Sequence, residues 1–231
     1  MLCVTCPNRD LGFCGALLND SCEDLNSLRR LHRFRVAQAG EQLANRCEAS
    51  DEVLVLCRGW AFQYIEVGDQ RRQILSFLLP GDLFSAVNIF DRQFQSSAMA
   101  LTDVQISCFD RSTVRARPST NALQTAIETA FKQQSLTSNE LLAVLGQRSA
   151  EQRIAYLLRH LTGRLKTQNV IREDRYSFPL QQRHIADAVG LTTVHVNRVL
   201  RIFRTRGVCN LADGVLTVHN PFELERLGSL N

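Results

Sequence analysis

Residues 178–206 read FPLQQRHIADAVGLTTVHVNRVLRIFRTR, and Gly190 cuts this run in two. Before the cut, Ile185, Ala186 and Val189 recur at helical spacing, with Leu191 just beyond it. After it, Val196, Val199, Leu200 and Phe203 share one face of a second helix, while Thr193, His195, Asn197, Arg198 and Arg201 point elsewhere. Thr192 is placed to cap that helix, its hydroxyl accepting from a first-turn N–H that has no partner inside the helix. Two short helices about a glycine turn predict a helix-turn-helix. Thr192, Thr193, His195, Asn197, Arg198 and Arg201 are then the candidate DNA contacts. A guanidinium at Arg198 suits a guanine edge, and the Asn197 amide suits an adenine or a phosphate. An amphipathic helix pair with merely solvated arginines is the plainer alternative. The next segment weighs against it. Asp213-Gly214 stands between Val208-Cys209-Asn210-Leu211 and Val215-Leu216-Thr217-Val218, the pattern of a two-residue hairpin. Helix-turn-helix followed by hairpin predicts a winged helix.

Charge supports the same end of the chain. Residues 146–231 hold 13 basic against 7 acidic side chains, whereas residues 1–145 hold 14 against 16. A basic C-terminal third fits a polyanion, and the remainder does not. The 231 residues suffice for two modest domains. No apolar run approaches a membrane span or a signal peptide, so a soluble cytoplasmic protein with no membrane partner is expected. No nucleophile–base pair or phosphate loop stands out, and an enzyme is not expected.

The pattern divides the chain into four parts. Residues 1–25 are short, polar and rich in cysteine, with too few apolar side chains to fill a core. Residues 26–118 carry strand-like runs, Val53-Leu54-Val55-Leu56, Trp60 to Ile65 and Gln73 to Leu78, separated by Arg58-Gly59, Gly68-Asp69 and Pro80-Gly81-Asp82. Short strands with tight turns predict a small antiparallel β-barrel. Residues 119–146 form a long helical pattern without an interior proline. Its seam reads Leu123, Ile127, Phe131, Ser135, Ser138, Leu142, Leu145, which suits either a coiled-coil dimer with a polar middle or packing against the chain's own barrel. Residues 147–231 open with Ser149-Ala150-Glu151-Gln152, a capping box for a helix from Arg153 to Leu165, and continue into the winged helix. The expected fold class is α+β: an N-terminal antiparallel β-barrel of the cyclic-nucleotide-binding kind, a long dimerisation helix and a C-terminal winged helix-turn-helix.

This order of parts resembles the Crp/Fnr family of bacterial transcription regulators over essentially the whole chain. The resemblance is carried by Pro80-Gly81-Asp82-Leu83, by Gln147 to Ala155, by Ile185-Ala186-Asp187 through Leu191, and by Val196-Asn197-Arg198. It implies a homodimer joined by the long helices, a sensor barrel, contact with RNA polymerase, and recognition helices that read double-stranded DNA at a pseudo-palindromic operator. Family members that bind cyclic AMP hold its ribose and phosphate with a Glu and an Arg; Ala86 and Ser96 stand in those places here. A buried phosphate without its arginine is left uncompensated, so no cyclic nucleotide is expected.

Four of the eight cysteines, Cys3, Cys6, Cys14 and Cys22, crowd into the first 22 residues, and Cys47, Cys57, Cys108 and Cys209 are scattered. Cys3-x2-Cys6-x7-Cys14 with a distant Cys108 resembles the four-thiolate set that holds an oxygen-labile 4Fe–4S cluster in the Fnr branch. Thiolates supply the soft, negative ligands such a core requires. Zinc satisfies the same set tetrahedrally, which leaves a zinc-stabilised DNA-binding protein without a sensing role as the alternative. Nitric oxide or general redox state is a further signal that the same cluster would read. Fnr-type recognition helices carry Glu, then Ser and Arg three and four residues on; this chain has Val194, Asn197 and Arg198, so the operator does not carry over.

Overall fold

The computed structural model describes residues 12–19, 32–68, 71–116, 121–167 and 174–230. It groups into two compact units. The first takes in the chain up to Ile65 together with Leu75–Leu136, and the second takes in Glu66–Ile74 and Thr137–Asn231.

In the first unit, β1 (His32–Ala37), β7 (Val104–Asp110) and β3 (Glu52–Arg58) form one antiparallel sheet in the order β1-β7-β3. A second sheet runs β2 (Gln42–Ala44), β6 (Ser97–Ala100), β4 (Ala61–Glu66) and β5 (Arg72–Leu78). The barrel-like core expected of this segment is thus enclosed by two hydrogen-bonded sheets. Side chains alternate along a strand, so Leu54, Leu56, Ile106 and Cys108 face inward to meet Ala61, Leu78 and Ala98 of the other sheet. Val53, Val55 and Phe109 face the opposite way, into a second apolar cluster. That double burial explains why Val53-Leu54-Val55-Leu56 is apolar without alternation.

The second cluster contains a correction to the sequence reading. Residues 12–19 are not a coreless loop: α1 (Gly12–Asn19) buries Phe13, Cys14 and Leu17 at positions one turn apart, against Phe109 and Val53. Phe13 meets the Phe109 ring edge-on at 6.1 Å. The segment supplies three large or mid-sized apolar groups to a cluster begun by the sheet, so it needs no core of its own. Next in order come α2 (Arg111–Ala116), which adds Val114, and α3 (Asn121–Gln147). Of the seam expected on α3, Leu123 is buried in this same cluster, and Ile127 and Phe131 pack against it. Phe131 lies 5.9 Å from the Phe90 ring. Ser135, Ser138 and Leu142 stay exposed.

The second unit is helical with a small sheet. The capping box opening α4 (Ala150–Thr167) forms as expected: the Ser149 N–H donates to Gln152 Oε1 at 3.1 Å, and the Gln152 N–H donates to Ser149 Oγ at 3.3 Å. Then follow β8 (Arg175–Ser177), α5 (Gln182–Val189), α6 (Thr193–Thr205), β9 (Cys209–Ala212), β10 (Val215–Val218) and α7 (Pro221–Gly228). The sheet order is β8-β10-β9. Asp213 and Gly214 both take positive φ, 51° and 71°, the mirror-image turn whose twist matches a hairpin. A side chain on Gly228 would come within 2.9 Å of the Ala155 backbone, so glycine there permits the close approach of α7 to α4. Among the described residues, no helix is long and apolar enough to cross a membrane.

Candidate nucleic-acid interface

The helix-turn-helix is built from α5 and α6 around Gly190, which ends α5 in the left-handed conformation at φ 63°. Its N–H returns to the Ala186 carbonyl, and the Leu191 N–H does the same at 3.1 Å. These bonds close the turn that the glycine permits. Ile185, Ala186, Val189, Val196, Val199 and Phe203 are all buried, which locks the two helices face to face. Arg153 reinforces the turn from α4, donating from Nη1 to the Val189 carbonyl at 3.4 Å while its Nε donates to the Arg148 carbonyl at 2.8 Å.

Two polar devices fix where each helix starts. At α6, Thr192 is the N-cap, and its Oγ accepts from the His195 N–H at 3.3 Å. His195 Nδ1 also sits 3.0 Å from that hydroxyl. Thr192 and the near edge of the His195 ring are therefore committed to capping, while both residues remain exposed. At α5, Gln181 is the N-cap, and His184, a residue the sequence reading passed over, completes the capping box. It is buried, and its Nδ1 accepts from the Gln181 N–H at 3.1 Å. Burial, aided by the Arg183 and Arg72 guanidiniums, holds its pKa down to about 4. The neutral ring is the form that can accept. The signal was its position three residues after Gln181, the third residue of a capping box occupied by an imidazole.

Residues Glu66–Ile74 group with this unit, and they touch α5. Arg72 Nε donates to Asp187 at 2.7 Å, and Gln73 Nε2 donates to the Ala188 carbonyl at 3.0 Å. Sequence pattern gave no sign of this pairing, because the partners lie 115 positions apart.

Of the remaining candidates, Thr193, Asn197, Arg198 and Arg201 are exposed on α6, and Arg204 and Arg206 continue the cationic surface. Arg206 is tied to Glu151 at 3.2 Å. Val194, Asn197, Arg198 and Arg201 fall at i, i+3, i+4 and i+7, one stripe on the face opposite the buried one. The structure thus brings the DNA candidates together on a single solvent-facing surface.

Of the four candidate cysteine ligands, the described ones, Cys14 and Cys108, fall in different apolar clusters. Cys3 and Cys6 lie outside the described residues. Cys14 is buried on α1 in the cluster that contains Phe109. Cys108 is buried in the other cluster, between the sheets, because neighbours on a strand face opposite ways. Burial pushes the Cys108 thiol up to about 11, with Glu52 adding to the rise. Among the described residues no three His, Cys, Asp or Glu side chains gather as a metal site. In this arrangement Cys14 and Cys108 do not fit one shared cluster.

Two antiparallel sheets, a long helix and a winged helix with a cationic outer stripe define the class of DNA-binding transcription regulators. Residues 152–227 match the Crp-like helix-turn-helix domain, and residues 34–120 match the cyclic nucleotide-binding domain. The transcriptional activatory protein AadR of Rhodopseudomonas palustris is 30% identical over 91% of this chain and 86% of its own length. The transcriptional activator protein FnrL of Cereibacter sphaeroides is 28% identical over 90% of this chain and 84% of its own. The structure of FixK2 from Bradyrhizobium japonicum shares the fold, with a TM-score of 0.78 at 21% identity over 87% of this chain and 99% of that one. The chain belongs to the Crp/Fnr family. It is a DNA-binding transcription regulator and not an enzyme.

Proposed function

We propose that the protein binds a pseudo-palindromic operator as a homodimer and regulates transcription there, in the cytoplasm, through contact with RNA polymerase. The observation that carries this reading is the α6 stripe: amide and guanidinium groups at Asn197, Arg198 and Arg201, all exposed and all on one face of a capped helix. The activator names of the relatives support the polymerase contact. A second copy is supported by α3, where Leu136 is 48% and Leu142 73% exposed on a helix otherwise packed at its start. A half-site reader gains specificity from a two-fold partner, since the two half-sites repeat as the protein does. Selection of bound duplexes from a random pool, with sedimentation of the free protein, tests this. An enriched inverted repeat and a dimer are expected; enrichment of a single unrepeated site by a monomer contradicts the homodimer.

The barrel takes no cyclic nucleotide in this reading. Ala86 is fully buried, and Ser96 Oγ accepts from Gln63 Nε2 at 3.2 Å, an amide that also donates to the Phe84 carbonyl at 2.6 Å. Small neutral groups stand where a phosphate would call for a cation.

The cysteine spacing supports a second layer, control by an oxygen-labile 4Fe–4S cluster held by Cys3, Cys6, Cys14 and Cys108, with nitric oxide or redox state as the alternative signal. The opposed faces of Cys14 and Cys108 weigh against it. Counting iron and zinc after anaerobic purification decides: four irons lost by Cys108→Ser support the cluster, stoichiometric zinc supports a structural metal, and no metal removes both.

A further inference from the structure

The α6 stripe contains one side chain that its charge pattern does not explain. Val194 is 77% exposed, although it stands in the first turn of a helix whose other exposed stripe residues are an amide and guanidiniums. None of the described residues covers its isopropyl group. A β-branched residue is also a poor choice for an exposed helical position on propensity alone. Val196 and Val199, by contrast, are buried against α5. The side chains at 194, 197, 198 and 201 share one face, so whatever meets Arg198 meets Val194 as well.

That surface is cationic, and the surrounding unit carries the chain's excess of basic residues, so a polyanion is the occupant its charge selects. Residues near the N-terminus of a recognition helix are those that reach base edges. The major groove offers only one apolar group to an isopropyl, the 5-methyl of thymine. We propose that Val194 reads a thymine methyl, making it a specificity-determining residue beside the base pair read by Arg198. The inference rests on the reading of α6 as the helix that enters the groove. It gives each half-site a thymine whose methyl group, and not its hydrogen-bonding edge, is recognised.

Deoxyuridine substitution isolates that methyl, because uracil keeps every hydrogen-bonding group of thymine. The test uses the full chain and the duplex selected from the random pool, with deoxyuridine replacing thymidine one position at a time. Wild type is expected to weaken about fourfold at one position per half-site, the worth of burying one methyl-sized group, and roughly fifteenfold when both half-sites are changed. Val194→Ser is expected to bind the thymine and uracil duplexes equally, at the level of wild type on uracil. Because Val194 is exposed, this variant keeps the fold, which circular dichroism checks. No penalty for uracil at any position, or a penalty unchanged in Val194→Ser, overturns the inference. If Arg198→Ala still loses guanine discrimination in that case, α6 reads DNA and only the methyl contact falls. If the pool yields no enriched sequence, the inference and the reading beneath it fall together.

Discussion

In the first unit, buried Asn88 has neither its amide nitrogen nor its oxygen hydrogen-bonded, and the Ser107 hydroxyl is buried and likewise unpaired. In the second unit the buried His184 ring closes a helix cap, and the exposed caps of α4 and α6 are complete as well. Arg159 Nε is the unpaired buried side-chain atom among the described residues there. The difference follows from what orders each unit. The winged helix is positioned by short-range bonds, three residues apart, that the local sequence dictates. Between its hydrogen-bonded strands, the interior of the first unit is filled by apolar burial, which is indifferent to direction and leaves these side-chain atoms unpaired at a cost of about 1–3 kcal/mol each. A DNA-reading surface needs side chains fixed in direction, and the completed caps of α5 and α6 help to fix the helices that carry it.

The largest expected effect removes an apolar anchor from the first unit. Phe13→Ala empties the contact with Phe109 and should cost about 3–5 kcal/mol of that unit's stability. In denaturant unfolding, the first unit's transition moves and the second unit's does not. Equal movement of both would dissolve the contrast between the units.

Acid should act on the other unit. His160 and His184, both held down to about 4 chiefly by burial, belong to the second unit. Their folded pKa lies below the ordinary 6.5, so the unfolded chain takes up protons first as the pH falls. The stability they contribute is present in full above about 6.5, is lost progressively down to about 4, and changes no further below that. For His184 this amounts to on the order of 3 kcal/mol. Unfolding measured across that window should show the slope, and His184→Gln should flatten it. A slope unchanged in that variant would assign the acid sensitivity elsewhere.

The smallest effect is a gain. Asn88→Leu replaces a buried unpaired amide with an apolar group of similar size and should stabilise the first unit by about 1 kcal/mol. A loss instead would show that the amide has a role in the folded protein that burial alone does not express.

The contrast also explains what the sequence made legible. The capping box at Ser149, the Thr192 cap, the Gly190 turn and the Asp213-Gly214 hairpin were all readable, because each is a short-range pattern with one geometric solution. The exposed stripe on α6 followed from helical periodicity. Three features did not follow. Apolar density in residues 1–25 is too low to announce a helix, yet α1 borrows a core formed by strands far along the chain. The seam on α3 was read with two uses open, and the structure gives Leu123, Ile127 and Phe131 to the chain's own core. The faces of Cys14 and Cys108 depend on strand parity and on where α1 docks, neither of which residue spacing records.

The central claim is that α6 reads base sequence, and the comparison of Arg198 with Arg201 tests it most directly. Affinities for the selected operator and for random duplex are measured at one fixed salt concentration. Arg198→Ala is expected to lower the operator affinity by about 1–3 kcal/mol per half-site while leaving random binding nearly intact, and Arg201→Ala to weaken both alike. An Arg198→Ala variant whose ratio of operator to random affinity equals that of wild type would contradict the account.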